Sequence, residues 1–342
     1  MSEQEEQTQW IAVASALSLR SRPDASVGID AAATEQRDLA RRSGARLILA
    51  GDDEYPAVLR TIPSPPPFLL LRGELREEDA FALAIVGARH ATPYGLEIAE
   101  RLASELAARG VTIVSGFARG VDTAAHRGAI AGGGRTIAVF GAGVDVVYPP
   151  ENRKLVWKIL ERGALVSQFP MGTPALPGHF PVRNRTIAGL TLGTIVVEAA
   201  ERSGALITAG YAGELGREVF AVPGPITSEP SRGTNRLIQD GAKLVQGWED
   251  VVAELPETWR RCLKERAGAP GSGAVLEADE GRLLALVGSE PVHIDRLIGQ
   301  SGVSSGRTAA LLLALELKGW VRQLPGQRYM KLGGTEAKGQ RI

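Results

Sequence analysis

The chain has 342 residues, enough for more than one ordinary domain, and 44% of them are hydrophobic, which excludes global disorder. Lysine plus arginine and aspartate plus glutamate number 39 each, so a uniformly basic protein that coats duplex DNA is not indicated and any polyanion site has to be a local patch. The single cysteine, Cys262, excludes an internal disulfide and a site built from several thiolates.

The first part of the chain is mostly helical in pattern. Its opening residues are acidic and polar rather than signal-like, and no apolar run reaches the roughly 20 residues that cross a bilayer, so we expect a cytoplasmic protein that does not enter a membrane. Helical spacing runs from Trp10 to Leu17 and again from Thr34 to Arg42. The prolines of residues 63–67 predict an extended crossing over the surface, either as a packing cap for the next domain or, less favoured, as a separate binding activity. We assign residues 1–75 to a small helical domain with a proline-rich connection.

From Ala82 the pattern changes to strands that alternate with helices. The stretch ALAIVGAR is continuously apolar, as expected for a parallel strand that is covered on both faces. Strand–helix units of this kind repeat to about Leu255, which predicts one doubly wound parallel, Rossmann-like α/β sheet with right-handed crossovers. We assign residues 76–255 to this domain.

The end of the chain predicts a linker and a winged helix. Residues 256–279, which include GAPGSGA, have the composition of a flexible linker. Residues 280–334 predict three helices and a hairpin, the layout of a winged-helix domain. Its usual reading helix would span 304–318, which is nearly all leucine and alanine, so we favour packing against a protein over duplex binding. The charged side chains of that helix are Arg307, Glu316 and Lys318.

Glycine-bearing loops follow four of the predicted strands. The carboxyl ends of parallel strands meet at one edge of a sheet, where ligands bind, and glycine lets backbone N–H groups approach an anion closely. Arg89 and Arg119 would add charge-assisted hydrogen bonds to phosphate. One such loop alone is weak support, because glycine after a strand is often only a tight turn. Together the four loops predict an anion site.

The stretch from Pro177 to Arg185 points the same way. It places two arginines and an amide at the predicted start of a helix, where cations oppose the macrodipole, and a bound anion would rationalise that placement. Phe180 offers a surface for a base to stack on. The alternative is a buried Phe180 with Arg185 in a structural salt bridge. We expect Arg89 and Arg183 at the exposed edge. The predicted DNA- or phosphate-binding residues are Gly87, Ala88, Arg89, His90, Ser115, Gly116, Arg119, Gly141, Gly143, His179, Phe180, Arg183, Asn184, Arg185, Ser203 and Gly204.

These motifs resemble the DNA-processing protein A family, DprA or Smf. The stretches VGAR, SGFARGVDTAAH, GAGVDVVYPPEN, FPVRNRTIAGL, SGALITA and GTNRLIQDGA occur in the family's order between about Asp53 and Val245. The ends of the chain match more loosely, and the resemblance implies a small SAM-like helical domain first and a winged helix last.

The resemblance also implies a function. Such proteins bind single-stranded DNA without motor or nuclease activity, shield it during natural transformation, help to load RecA recombinase and form homodimers through the α/β domain. The positions that match the family's DNA contacts are Gly87, Arg89, Phe180, Arg183, Ser203 and Gly204. One departure is the lysine that many relatives carry before His-Phe-Pro, where this chain has Leu176-Pro177-Gly178.

Enzyme interpretations find little support in the sequence. Asp122 and His126 share a helix face and could pair as a base with its orienting carboxylate, but no nucleophile is evident and a structural hydrogen bond is favoured. The flanks of Ser115 are not those of a nucleophile elbow, and the sequence holds no G-x-G-x-x-G, no Walker motif and no metal-ligand spacing. We therefore expect no catalytic residue, no cofactor and no metal.

One rival function belongs to a different class. Nucleotide-handling hydrolases of the lysine-decarboxylase-like phosphoribohydrolase type share this kind of sheet and carry P-G-G-x-G-T-x-x-E. Here only Glu198 remains and the diglycine is absent. Release of free base from nucleoside monophosphates would distinguish this function from DNA binding.

Overall fold

The structure is a computed structural model that describes residue 10 and residues 29–263, 277–288, 290–317, 320–324 and 326–331. The chain divides into two compact units, Met1–Glu265 and Arg266–Ile342. Within the described ranges, no helix combines the length and the apolarity that a bilayer crossing requires.

Unit 1 is built on a nine-stranded sheet with the order β1-β2-β6-β5-β4-β3-β7-β8-β9. Its seven strands from β3 onward pair in parallel, whereas β1 and β2 run antiparallel to their neighbours. The chain starts the parallel part at β3 and adds strands on both sides of it, which is the doubly wound arrangement. The strands are β1 (Arg46–Leu49), β2 (Phe68–Gly73), β3 (Ala82–Val86), β4 (Thr112–Ser115), β5 (Thr136–Phe140), β6 (Ala164–Ser167), β7 (Gly193–Val196), β8 (Glu218–Ala221) and β9 (Lys243–Leu244).

Helices cover both faces of this sheet, as the continuous apolar strands require. The helices of unit 1 are α1 (Ile29–Ser43), α2 (Ala57–Arg60), α3 (Pro93–Ala107), α4 (Val121–Ala131), α5 (Arg153–Leu160), α6 (His179–Gly189), α7 (Gly204–Glu214), α8 (Glu229–Gln239), α9 (Trp248–Glu254) and α10 (Glu257–Arg260), with 3-10 turns at Glu77–Ala80 and Pro150–Asn152. On one face α3, α4 and α9 pack over one core cluster, and α1 and α5 pack over a second. On the other face α2, α6 and α7 cover a third. The predicted α/β fold is confirmed.

The predicted helical pattern of the first part is matched by α1 and by helical backbone at Trp10, but strands interrupt it further on. Residues 46–49 and 68–73 form strands β1 and β2, and the stretch after the prolines does not cross the surface. Leu69, Leu70 and Leu71 are fully buried, because β2 lies inside the sheet with helices over both faces. Of the predicted first helix only Trp10 is described, and it is buried against α1. The SAM-like assignment of residues 1–75 stays a prediction.

The predicted linker also begins too early. Residues 257–260 form α10, and the ring of Trp259 stacks on Phe81 with a centroid separation of 5.4 Å. Trp259 and Leu263 pack against the core of unit 1, and this burial is what holds residues 256–263 to the domain. Residues 264–276 lie outside the described ranges.

Unit 2 has the layout that the sequence predicts for a winged helix. Its helices are α11 (Ala278–Leu286), α12 (Ile294–Ser301) and α13 (Ser305–Leu317), and its three-stranded sheet joins β10 (Val292–His293), β11 (Val321–Leu324) and β12 (Arg328–Lys331) in the order β10-β12-β11. Leucines of the three helices form its core. In α13, Arg307 lies 3.6 Å from a carboxylate oxygen of Asp279, and Glu316 accepts a hydrogen bond from the backbone of Gln323. Packing of α13 against a protein rather than against duplex DNA stays a prediction.

Candidate nucleic-acid interface

A cleft of about 570 Å³ lies at the carboxyl edge of the parallel strands. It opens between the loop after β3, the start of α6 and the start of α7, next to the point where the chain begins to add strands on the other side of β3. Seven of the sixteen predicted site residues line it. These are Gly87, Arg89, Phe180, Arg183, Asn184, Ser203 and Gly204.

Arg89 and Phe180 form the exposed rim of this cleft. The Arg89 side chain is exposed, and its guanidinium carbon lies 4.8 Å from the centroid of the Phe180 ring. The half-buried ring rests against the end of β5, where a Cβ on Gly141 would come within 2.9 Å of it. Only glycine at 141 leaves that space. The expected neighbourhood of Arg89, Phe180 and Arg183 is therefore present.

Arg183 contradicts the expectation of an exposed cation. It is only 3% exposed, and its Nη1 donates to the carbonyls of Gly116 and, at 2.7 Å, Val139. The reason is the start of α6, which lies at His179 rather than near Arg185. Pro181 fits in the first turn because the N–H that it lacks would have no partner within the helix there. Arg183 thus falls one turn inside the helix and faces the sheet, so its placement at the helix start was wrong.

The charge of Arg183 is balanced inside the protein. Asp122, 6% exposed, lies on the same side of Gly116 as Arg183, and a Cβ at residue 116 would collide with both side chains. Burial raises the pKa of Asp122, which the positive charge of Arg183 partly offsets. Burial lowers the pKa of Arg183 to about 10, so this side chain stays cationic at neutral pH. The floor of the cleft is therefore formed by a fixed charge pair that is balanced within the protein.

The start of α7 forms another part of the cleft wall. Ser203 caps the helix, its Oγ accepting from the N–H of Ala205 at 3.2 Å, and Gly204 is exposed at the first helical position. Asn184 is buried and bridges α6 to α7, with its Oδ1 accepting from Arg183 and its Nδ2 donating to the carbonyl of Gly204. Asn184 therefore fixes the cleft wall, while the partial positive charge of the α7 N-terminus faces the opening.

A small pocket adjoins the cleft through Arg89 and Phe180, and Gly116, Arg119 and Gly141 line it. Arg119 is exposed and paired with Glu151, with Nη2 at 2.7 Å from Oε1. Its guanidinium carbon lies 6.0 Å from the centroid of Tyr148.

Tyr148 was not selected from the sequence. It lines both the cleft and the adjoining pocket, is 42% exposed and lies 6.1 Å, centroid to centroid, from Phe180. The available signal was the Tyr-Pro-Pro sequence that follows the glycines after β5. Two aromatic rings thus flank the opening instead of one.

The remaining predicted residues lie elsewhere or have structural partners. Ser115 is buried, and its hydroxyl donates to the carbonyl of Ile85 at 2.7 Å. Gly143 is also buried, and its backbone N–H donates to the carbonyl of Thr173. His179 stacks on Phe169 at 4.4 Å. Ala88 is held by backbone hydrogen bonds beside the cleft, and His90 is exposed outside it.

Arg185 donates to backbone carbonyls at Pro63 and Ser64 and makes no salt bridge within the described part of the chain. It therefore secures the proline-rich connection, and the salt bridge that the alternative interpretation gave it is not the contact that forms.

The residues considered for catalysis also form hydrogen bonds within the protein. His126 is fully buried and its Nδ1 lies 2.7 Å from Oγ1 of Thr136, so the expected structural hydrogen bond forms, but not to Asp122. The Thr136 hydroxyl donates to Ile113, so Nδ1 of His126 carries the proton that Thr136 accepts. Burial lowers the pKa of His126 to about 3. Glu198 is buried and accepts from Thr92 through both carboxylate oxygens, at 2.5 and 2.9 Å, ahead of α3.

Comparison with known families identifies the relatives of this chain. The family model for DNA recombination-mediator protein A matches residues 46–256, more than half of the chain, and that for the DprA winged helix domain matches residues 267–327. Protein Smf of Escherichia coli is 41% identical over 283 residues, covering 82% of this chain and 76% of that protein. The DprA protein of Mycobacterium tuberculosis is 37% identical over 328 residues, covering 90% and 83%.

Solved structures give the same result. DprA of Streptococcus pneumoniae superposes with a TM-score of 0.61 at 38% identity, covering 72% of this chain and 87% of that one. DNA processing protein A of Helicobacter pylori, whose structure is described in terms of a unique single-stranded DNA binding mode, gives a TM-score of 0.57 at 27% identity, covering 64% and 97%. The chain therefore belongs to the DNA-processing protein A family, DprA or Smf.

Proposed function

We propose that this chain binds single-stranded DNA in the cleft at the carboxyl edge of its sheet. Phosphates lie against Arg89 and the N-terminus of α7, and bases stack at Phe180 and Tyr148. The observation that carries the proposal is the position of an exposed arginine 4.8 Å from an accessible phenyl ring, in a cleft of about 570 Å³ that also holds a helix N-terminus.

A single strand suits this cleft better than a duplex. Rings accept the face of a base only when that base is unstacked, and a concave site between α6 and α7 admits one flexible strand. Few side chains are placed to read base edges, because Asn184 and Arg183 are already bonded within the protein. Binding is therefore tolerant of sequence.

Family membership extends the proposal. In the cytoplasm the chain shields incoming single-stranded DNA during natural transformation, assists the loading of RecA recombinase and acts as a homodimer, with no covalent change to the DNA. The relatives that support this are DNA-processing proteins, one of them with a described single-stranded DNA binding mode. The phosphoribohydrolase alternative is weakened because both oxygens of Glu198 are hydrogen-bonded to Thr92.

The test is fluorescence anisotropy of the full chain with single- and double-stranded oligonucleotides across a range of salt. We expect tighter binding of the single strand and a log–log salt slope of about −0.7 per phosphate neutralised. Arg89→Gln weakens binding and makes the slope shallower by about 0.7. Arg232→Gln, at an exposed position on α8 outside the cleft, is the matched control and leaves both unchanged. A slope near zero, or equal effects of the two variants, would contradict the proposal.

A further inference from the structure

Helix α5 carries an exposed face that the cleft does not account for. Four of its side chains are exposed, namely Arg153, Lys154, Trp157 and Lys158, and we call them the α5 face. Trp157 is 64% exposed, although Leu155, Val156 and Ile159 of the same helix are buried in the core. Trp157 is thus a large aromatic ring open to solvent on a helix that is otherwise packed against the core.

The cationic side chains of the α5 face are unpaired within the described part of the chain. Arg153, Lys154 and Lys158 have no hydrogen-bond or ion-pair partner among the residues that the structure describes. From β2, the guanidinium carbon of Arg72 lies 5.9 Å from the centroid of Trp157 and adds a further cation beside the ring. In a chain of zero net charge, this is a local concentration of positive groups around one aromatic platform.

Aromatic and charged side chains lead from the cleft toward the start of α5. Phe180 lies 6.1 Å from Tyr148, Tyr148 lies 6.0 Å from the guanidinium of Arg119, and Arg119 pairs with Glu151 at 2.7 Å, two residues before α5 begins. The contacts therefore run from the cleft to Glu151, in the 3-10 turn that leads directly into α5, and Trp157 follows Glu151 by six residues.

We propose that the α5 face is a second contact surface for the same DNA strand, reached beyond Tyr148. A base stacks on Trp157 while Lys154 and Lys158 contact the phosphates on either side. The inference rests on the proposed function of the cleft, since its direction and its ligand both follow from the strand leaving that site. Lone aromatics flanked by unpaired cations are the usual elements of a sequence-tolerant single-strand surface.

The experiment compares a short and a long oligothymidylate, of about six and about twenty nucleotides, one within and one beyond the roughly 4–16 nucleotides of other single-strand sites. Trp157→Ala lowers affinity for the long strand by about 5- to 140-fold and leaves affinity for the short strand unchanged. Trp157→Phe keeps most of the affinity, because a phenyl ring still stacks. Lys154→Gln and Lys158→Gln each make the salt slope for the long strand shallower by about 0.7. The exposed Arg232→Gln is again the charge control.

The outcomes separate the two proposals. Failure of the unmodified chain to bind either oligonucleotide overturns the cleft proposal and this one with it. Normal binding of both, with equal affinities of Trp157→Ala and the parent chain for the long strand, overturns the α5 proposal alone. Trp157 fluorescence, isolated by comparison with Trp157→Phe, is quenched by the long strand. Quenching by an oligoglutamate peptide but not by DNA would instead assign the α5 face to an acidic protein partner.

Discussion

Replacement of Arg183 by methionine is expected to destabilise unit 1, because this arginine acts mainly inside the protein. Two backbone carbonyls, of Gly116 and Val139, lose their donor, and the buried carboxyl of Asp122 loses the cation that offsets its burial. Methionine fills a similar volume, so the change isolates charge and hydrogen bonding from packing.

The magnitude follows from these contacts. Breaking a buried charge pair by removal of one partner costs about 3–5 kcal/mol, and the loss of the hydrogen bonds to the two carbonyls is part of the same cost. Domains of this size lose about 2–4 °C of melting temperature per kcal/mol, so the melting temperature falls by roughly 6–20 °C. Asp122→Asn combined with Arg183→Met removes the stranded carboxylate and recovers part of the loss.

Thermal unfolding followed by circular dichroism measures the loss, and anisotropy at a temperature where the variant is folded measures DNA binding. A melting temperature within about 2 °C of the parent chain, together with lost DNA binding, would show that Arg183 contacts DNA as the sequence predicted and that its buried position is misjudged.

Four further changes test other parts of the account. Phe180→Ala lowers affinity for single-stranded DNA by about 1–3 kcal/mol in anisotropy, whereas Phe180→Tyr retains it. Gly178→Lys restores the charge that many relatives carry before His-Phe-Pro; nothing lies within 4 Å of the added Cβ, so affinity rises and the salt slope steepens by about 0.7, and an unchanged slope would refute this. Burial lowers the pKa of His126 to about 3. The neutral imidazole therefore contributes its full share to the free energy of unfolding above about pH 6.5, and this share is lost at about 1.4 kcal/mol per pH unit as pH falls toward 3. His126→Leu removes that acid sensitivity in urea titrations at pH 7 and pH 4.5, and an identical pH dependence would contradict the assignment. Glu198→Gln lowers the melting temperature by weakening the contact with Thr92 and leaves DNA binding intact, while release of free base from nucleoside monophosphates by the parent chain but not the variant would favour the hydrolase function.

The parallel sheet could be predicted from the sequence because each of its main strands is apolar without alternation and is followed by a helical pattern. The loops after β3 and β5 could be located for the same reason, since glycine marks the carboxyl ends of those strands. The convergence of Gly87, Arg89 and Phe180 in one cleft follows from this topology.

The direction in which each side chain points could not be predicted. Arg183 and Arg89 look alike in the sequence, yet one enters the sheet and the other stays in solvent, because the start of α6 depends on Pro181 being accepted in its first turn. Strand β2 and its antiparallel pairing were not predicted, because the prolines before it indicated a surface segment. The α5 face could not be predicted from the composition, because acidic residues elsewhere in the chain balance its cations.

The most direct test of the cleft is hydrogen–deuterium exchange of the full chain with and without an oligothymidylate. Binding at the carboxyl edge predicts slower exchange in peptides that contain residues 87–90, 179–184 and 203–208, with unit 2 unchanged. Protection confined to residues 277–331, with those three segments exchanging as in the free chain, would contradict it.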